Sequence, residues 1–258
     1  MAQSFGSYNY IIVGAGTAGC VIANRLSADP NVSVLLLEAG GKDDYIWTKI
    51  PVGYLYCIGN PKVDWGFKTE PESGLNGRAI DYPRGKVLGG CSSINGMIYM
   101  RGQARDYDHW AQLGNPGWGW DDVLPYFLKS EDNLALEPSN LHARGGEWRI
   151  EKPRISWEIL DAFMDAAVEA GLPRVNDFNT GNNEGVGYFH VNQKRGWRWN
   201  TSRGFLKPVR NRPNLRVVTS AHTKRVKIED GKATGIVFDL GGIEQVASAL
   251  SEVILAAG

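Results

Sequence analysis

The sequence predicts an α/β fold that opens with a parallel strand–helix–strand unit. Two continuous apolar runs, at 8–13 and 32–37, are typical of parallel strands that are buried on both faces. Between them, residues 20–26 have helical spacing, and the pattern stops before Pro30, which cannot continue a helix. We therefore expect residues 8–38 to form one βαβ unit with a right-handed crossover.

The rest of the chain divides into a loop-rich segment, a helical segment and a strand-rich segment. Residues 41–90 contain four prolines, and a loop region of this length inside a domain is usually functional. Helical patterning occupies 104–132 and 155–170. In the second helical stretch the apolar residues recur at amphipathic spacing: Ile155, Ile159, Leu160, Phe163, Ala167 and Val168. Strands are expected at 187–193, 215–219 and 252–255, with a hairpin of 224–228 and 233–239 about the turn 229–232.

Composition excludes several classes of protein. With 43% hydrophobic and 22% charged residues, the chain has the make-up of an ordinary globular protein. Its 28 basic and 28 acidic residues cancel, so no overall charge attracts nucleic acid or an anionic membrane. Three widely spaced cysteines form neither a disulfide framework nor a zinc motif, and no leader or membrane-spanning pattern is present. We expect a cytoplasmic protein that binds no metal.

A glycine-rich turn, Gly14-Ala15-Gly16-Thr17-Ala18-Gly19, joins the first strand to the helix. In this arrangement Gly14 permits the tight turn, Gly16 lets the backbone approach a pyrophosphate, and Gly19 lets the helix pack closely on the strand. Glu38 follows about 20 residues later, where a carboxylate accepts hydrogen bonds from ribose hydroxyls and disfavours the 2′-phosphate of NADP. The turn predicts a Rossmann-like dinucleotide site, but it does not separate FAD from NAD.

A second glycine-rich segment, residues 84–96, is also built for close approach of a ligand. Its glycines and small residues leave little side-chain bulk, so backbone N–H groups can face a phosphate or a planar ring. The alternative is a tight loop that precedes the apolar residues 97–100.

With this second segment, the sequence resembles the glucose–methanol–choline (GMC) oxidoreductase family. Residues 13–19 and 37–40 match the family's FAD-binding opening, and 85–95 match its first signature, which 96–102 continue. The resemblance covers essentially the whole chain through further matches at 106–110, 117–120, 124–127, 212–215 and 252–258.

The resemblance implies FAD as cofactor and assigns residues to it. The pyrophosphate is held by Gly14, Gly16, Thr17, Ala18 and Gly19, and the adenosine ribose by Glu38, with Ala39 beside it. The cofactor path is lined by Arg84, Val87, Leu88, Gly89, Gly90 and Ser92, and the flavin ring lies beside Asn95, Gly96, Met97 and Ile98. The Thr223 backbone contacts adenine, and Ala257 closes over the adenosine side.

The resemblance also implies a domain plan and a mode of attachment. Residues 1–150 form the FAD-binding domain, 151–215 part of an α+β substrate-binding domain, and 216–258 a return to the first domain, while the C-terminal half of the family fold is absent. Ile94 stands where members with covalent flavin have His, so the FAD is expected to be non-covalent. Cys91 stands where Ser is commoner and is interpreted as a small hydrophobic residue.

The implied activity is oxidation of a primary or secondary alcohol by hydride transfer to flavin N5. Its partners are a small-molecule alcohol and a companion C-terminal segment or chain, which supplies the catalytic His. We assign no catalytic residue within the sequence: His109, His142 and His222 are poorly placed, and His190, the best placed, is more often a packing residue. The alternatives are an FAD-binding module that is inactive alone and a flavin-containing lyase of the same family.

Overall fold

The computed structural model describes residues 3–258, which divide into two units. One unit takes in the described chain up to Gly96 and Asn200–Gly258, and the other is Met97–Trp199. The helices are α1 (Thr17–Leu26), α2 (Tyr54–Cys57), α3 (Ala104–Gln112), α4 (Trp120–Ser130) and α5 (Glu158–Glu169). The strands are β1 (Gln3–Val13), β2 (Val34–Leu37), β3 (Phe67–Lys68), β4 (Asp81–Tyr82), β5 (Glu131–Asn133), β6 (Trp148–Ile150), β7 (Gln193–Lys194), β8 (Trp197–Arg198), β9 (Leu215–Val218), β10 (Ala221–Glu229), β11 (Lys232–Leu240) and β12 (Ile243–Leu255).

The first unit is built on a six-stranded sheet in the order β10-β11-β12-β1-β2-β9. The strands β12, β1, β2 and β9 run parallel, whereas β10 and β11 form an antiparallel hairpin that continues into β12. The α/β fold and its opening βαβ unit are therefore confirmed. The boundaries of the two units do not coincide with the expected functional domains, which stay a prediction about the complete family fold.

The two apolar runs form the centre of this sheet. Ile11 and Ile12 on β1, and Leu35 and Leu36 on β2, have no exposed surface. Because neighbouring side chains on a strand point to opposite faces, both faces of these strands are covered, which explains why the sequence shows no alternation. Each side chain of this size contributes about 1.5–3 kcal/mol when fully buried.

The hairpin prediction is confirmed, and its strands are longer than the pattern indicated. Glu229 pairs with Lys232 across the two-residue turn, and the ladder continues to Ala221 opposite Leu240. The last strand begins at Ile243 instead of residue 252, because its first part, Ile243 to Ser248, pairs with β11, while β1 pairs with it from Gln245 to Leu255.

The second unit contains α3, α4, α5 and two short two-stranded sheets. The prediction of a strand at 187–193 is wrong. Within this stretch Val191 makes only isolated bridges, to Ile98 and to Glu151, and regular pairing starts at Gln193 in the short hairpin with β8. The residues are apolar enough for a strand, but within the part of the chain that the structure describes no neighbouring strand forms a ladder with them.

A cluster of buried charges lies inside the second unit. Arg101 and Glu131 are almost fully buried and form an ion pair of 3.1 Å. The imidazole of His142 lies between two carboxylates, with Nδ1 3.1 Å from Glu131 and Nε2 2.8 Å from Asp177. Burial opposes the charged form of His142, but the hydrogen bonds and charges of Asp177 and Glu131 outweigh it and raise its pKa to about 9.

Candidate cofactor-binding site

Two glycines of the first turn are required by packing alone. Gly14 has φ of +96°, and a Cβ on it would lie 2.6 Å from the carbonyl oxygen of Ala256. A Cβ on Gly19 would overlap the carbonyl oxygen of Gly14, so α1 packs directly on the turn at the end of β1. These contacts would exist in the same form with or without a ligand.

Gly16 is different, because a Cβ on it would meet no atom within 4 Å. It is the residue immediately before α1, and its backbone is extended at φ −74° and ψ −161°, a conformation open to any residue. The first turn of α1 carries no acidic side chain. The space beside Gly16 therefore lies at the positive end of a helix dipole, where backbone N–H groups favour an anion.

The second glycine segment packs against the first. Gly90 has φ of +52°, and a Cβ on it would lie 2.8 Å from Cα of Gly16. The Gly89 N–H donates a 2.8 Å hydrogen bond to the carbonyl of Ala15. The structure thus brings together two segments that are far apart in the sequence, with only backbone between them.

Glu38 connects the end of β2 to the same turn. Its carboxylate accepts hydrogen bonds from the backbone N–H of Ala15 at 2.9 Å and of Gly40 at 2.8 Å. Burial raises the pKa of this carboxyl, and the two N–H donors only partly offset that effect. Glu38 therefore holds the strand end and the turn in one arrangement, whatever further hydrogen bonds it makes.

Two residues that sequence reasoning missed fix the second glycine segment. The Thr201 N–H donates to Oγ of Ser92 at 3.0 Å, and Nδ2 of Asn200 donates to Oγ of Ser93 at 2.8 Å. Ser92 Oγ in turn donates to the carbonyl of Gly89 at 2.6 Å. No motif around residue 200 signals this role, since the partners are more than a hundred residues away.

Arg84, expected along the cofactor path, is held by its surroundings. Its N–H donates to Oδ1 of Asp64 at 3.0 Å, and its guanidinium lies 3.6 Å from the ring centroid of Tyr82. Burial disfavours ionisation of Asp64, but backbone N–H donors that include Gly59 and Gly66 outweigh it and lower its pKa.

The remaining predicted residues fall in both units. Ala257 lies against the turn, because its Cα would be 2.7 Å from a Cβ on Gly14. Thr223 lies on β10, and its Oγ1 is buried without a hydrogen-bond partner among the described residues. Ile94 is buried in an apolar cluster with Val87. Thr17 and Ala18 begin α1, Ala39 follows Glu38, and Leu88, Asn95 and Gly96 belong to the first unit, whereas Met97 and Ile98 belong to the second.

The four histidines lie in different surroundings. His109 is exposed on α3, and His222 is exposed on β10 with its ring centroid 5.7 Å from that of Trp65. His142 is held by two carboxylates. His190 is buried, which holds its pKa below the usual value, and it lines a cavity of about 270 Å³ within the second unit.

Neither a metal site nor a membrane span is found in the described part of the chain. Residues 3–258 contain no group of three or more His, Cys, Asp or Glu side chains that could hold a metal ion. None of their helices combines the length and the apolar character that crossing a bilayer requires.

Comparisons with known proteins agree on one family. The family model for GMC oxidoreductase matches residues 8–258. Alcohol dehydrogenase (acceptor) of Pseudomonas putida is 43% identical over 97% of this chain and 46% of its own length. Oxygen-dependent choline dehydrogenase of Photobacterium profundum is 42% identical over 98% of this chain and 44% of its own. The chain thus spans about half the length of the curated relatives it matches.

Solved structures give the same result. Pyridoxine 4-oxidase from Mesorbium loti superposes with a TM-score of 0.92 and 34% identity, covering 97% of this chain and 49% of that one. An FAD-dependent oxidoreductase from Chaetomium thermophilum gives a TM-score of 0.88 and 32% identity, over 97% and 45% of the two chains. Formate oxidase from Aspergillus oryzae gives 0.86 and 29%, over 100% and 46%.

Proposed function

This chain belongs to the GMC oxidoreductase family, and we propose that it is the flavin-holding part of an enzyme that oxidises a primary or secondary alcohol. The observation that carries the proposal is the contact between Gly16 and Gly90 at the start of α1. Two glycine segments that meet through backbone alone, beside an open helix N-terminus, provide what a dinucleotide pyrophosphate requires.

Family membership implies FAD, and the residues present fit it. The open space at Gly16 and the dipole of α1 suit the pyrophosphate, and the buried carboxylate of Glu38 suits hydroxyls of the adenosine ribose. The unpartnered Oγ1 of Thr223 is a polar group available to the adenine end. We assign Arg84, Val87, Leu88, Gly89, Gly90 and Ser92 to the cofactor path and Asn95, Gly96, Met97 and Ile98 to the surroundings of the flavin ring.

The FAD is proposed to be bound non-covalently. Ile94 is 3% exposed, and its hydrocarbon side chain offers no atom that could bond to a flavin. The affinity for FAD must then come from hydrogen bonds, the helix dipole and packing, which are all reversible interactions.

The proposed reaction follows from the alcohol and choline dehydrogenases among the relatives, whose named substrates carry a hydroxyl group. When bound, FAD supplies the acceptor for the hydride that leaves the alcohol carbon. The residues of this chain hold and orient the cofactor, and their glycines keep side chains out of the pyrophosphate site. The base that removes the hydroxyl proton is proposed to come from a companion segment that corresponds to the second half of the relatives.

The placement of the histidines supports the assignment of the base to the companion segment. His142 is engaged by two carboxylates, His109 and His222 are exposed, and His190 is buried in the second unit. A general base must lie within hydrogen-bond reach of the proton that it removes. We therefore propose that the 258-residue polypeptide binds FAD but does not turn over alcohols by itself.

Co-expression tests this proposal. The polypeptide is produced alone and together with the second half of the Pseudomonas putida alcohol dehydrogenase, and a series of primary and secondary alcohols is added without oxygen. We expect the flavin absorbance to bleach only in the paired sample. Bleaching by the polypeptide alone would contradict the assignment of the base to the companion segment, and no bleaching in either sample would contradict alcohol oxidation.

A further inference from the structure

The helix α5 exposes a row of apolar side chains to solvent, whereas a surface helix normally exposes polar ones. Ile159, Phe163 and Ala166 recur at the spacing of one helix face, and we call them the α5 stripe. Ile159 is 69% exposed and Phe163 66% exposed, and the neighbouring Leu160 is 46% exposed. A surface helix normally buries such a face.

The helix α5 is held in the second unit by two polar contacts and one buried apolar side chain. Asp161 accepts a 2.9 Å hydrogen bond from the Tyr188 hydroxyl, and Asp165 pairs with Arg174. Met164 is the one residue of the helix that is buried. The helix α5 therefore meets its own unit through Met164 and the polar contacts of Asp161 and Asp165, while its apolar stripe is left exposed.

Further apolar side chains adjoin the stripe in sequence. Ile155 is 68% exposed and Trp157 61% exposed, directly before the helix. Ile155 and Met164 also line the 270 Å³ cavity of this unit, beside Tyr188 and His190. Exposed large apolar side chains grouped on one helix and the segment before it are typical of an interface and unusual for a free surface.

We propose that the α5 stripe is the docking surface for the companion polypeptide that corresponds to the second half of the relatives. This inference rests on the proposed function, of which the companion is a part. The relatives and solved structures are about twice as long as the matched region, with 44% to 49% of their length covered, so they contain enough polypeptide to cover such a surface. The complementary face is apolar, since the stripe carries no charge.

A second copy of this chain is a poorer occupant on electrostatic grounds. The helix carries Glu158, Asp161, Asp165 and Glu169 along one side and no basic residue. Two copies packed antiparallel through the stripe would bring both acidic sides to the same edge, and two packed parallel would align their helix dipoles. Both arrangements are repulsive.

The test uses the full 258-residue chain co-expressed with the second half of the Pseudomonas putida alcohol dehydrogenase as the probe. We expect the unmodified chain to capture the probe in a one-to-one complex, and Phe163→Asp or Ile159→Asp to reduce the captured amount at least about tenfold. The matched control is Leu113→Asp, at a residue that is 67% exposed in the same unit and lies outside the stripe. It should leave capture unchanged.

Three results would overturn the inference. They are no capture by the unmodified chain, equal loss in Phe163→Asp and Leu113→Asp, and a dimer of the chain alone that Phe163→Asp disperses. Circular dichroism confirms that each variant is folded. FAD content is measured on the same samples, so that a chain that captures the probe without FAD would count against the proposed function and not against the docking surface.

Discussion

Gly14, Gly16 and Gly19 belong to one motif, but the three glycines do not serve the same physical purpose. At Gly14 and Gly19 neighbouring backbone atoms leave no room for a Cβ, whereas Gly16 borders open space. The sequence pattern is the same in a ligand-binding turn and in a turn that is merely tight. The local geometry separates the two, because only Gly16 has room that the protein itself leaves unfilled.

At Gly16 we predict loss of FAD binding without loss of fold. In Gly16→Val the side chain enters the open space at the start of α1, so the free energy of unfolding should change by no more than about 1 kcal/mol. The dissociation constant for FAD should rise at least about 100-fold, which corresponds to roughly 2.7 kcal/mol. Fluorescence titration measures it. Gly74→Val, also in open space, is the control and should bind FAD normally.

At Glu38 we predict that replacing one carboxylate oxygen by an NH₂ group lowers the stability of the fold. In Glu38→Gln one carboxylate oxygen becomes an NH₂ group, which cannot accept the hydrogen bond of Ala15 or of Gly40. A buried donor left unpaired costs about 1–3 kcal/mol. Urea unfolding should show this loss, whereas Glu70→Gln, at an exposed residue, should unfold like the unmodified chain. Equal stability of the two variants would contradict the assigned role.

Among the elements, α1 and β1 depend on Gly19 for their contact. Even the single methyl of Gly19→Ala would overlap the carbonyl oxygen of Gly14, and backbone atoms cannot move aside as a flexible side chain can. We expect a loss of about 3 kcal/mol or more in the free energy of unfolding. Gly16→Ala, in the same turn, is the control and should lose less than about 1 kcal/mol. Thermal denaturation of both variants decides the matter.

The buried charges around His142 make the second unit sensitive to alkaline pH. Because the pKa of His142 is raised to about 9 in the folded chain, its stabilising effect is complete below about 6.5 and is lost as the pH rises through 9. A shift of this size corresponds to on the order of 3 kcal/mol. Melting curves from pH 6 to about 10 should show the decline.

His142→Gln should be less stable at neutral pH and should lack this alkaline decline. His109→Gln, at an exposed residue of α3, should keep the profile of the unmodified chain. A decline that persists in His142→Gln would assign it to another group.

Elements with strong periodicity were predictable, and those that depend on distant partners were not. β1, β2 and the β10–β11 hairpin follow from continuous apolar runs and turn residues. The segment 187–193 was predicted as a strand, but a strand also requires a neighbour, and Val191 finds only isolated bridges. The pattern of α5 predicted its helix correctly, but it could not show which face the rest of the chain would cover.

On the scale of the whole molecule, the sequence indicated both glycine segments but not their contact. Gly16 and Gly90 meet because the long crossover between β2 and β9 returns to the start of α1. Asn200 and Thr201, which fix the second segment, could not be recognised without the fold, since neither carries a motif. The outline of the FAD-binding fold was therefore predictable from the sequence. The hydrogen bonds that fix its second glycine segment were not.

The central claim is that this chain holds FAD non-covalently at the contact between its two glycine segments. The direct test is to purify the chain with added FAD, remove free FAD, denature the protein, and measure both the released flavin and the intact mass of the polypeptide. We predict one FAD released per chain and a polypeptide mass equal to that of the sequence. A chain that retains no flavin, or a polypeptide whose mass is increased by that of FAD, would contradict the claim.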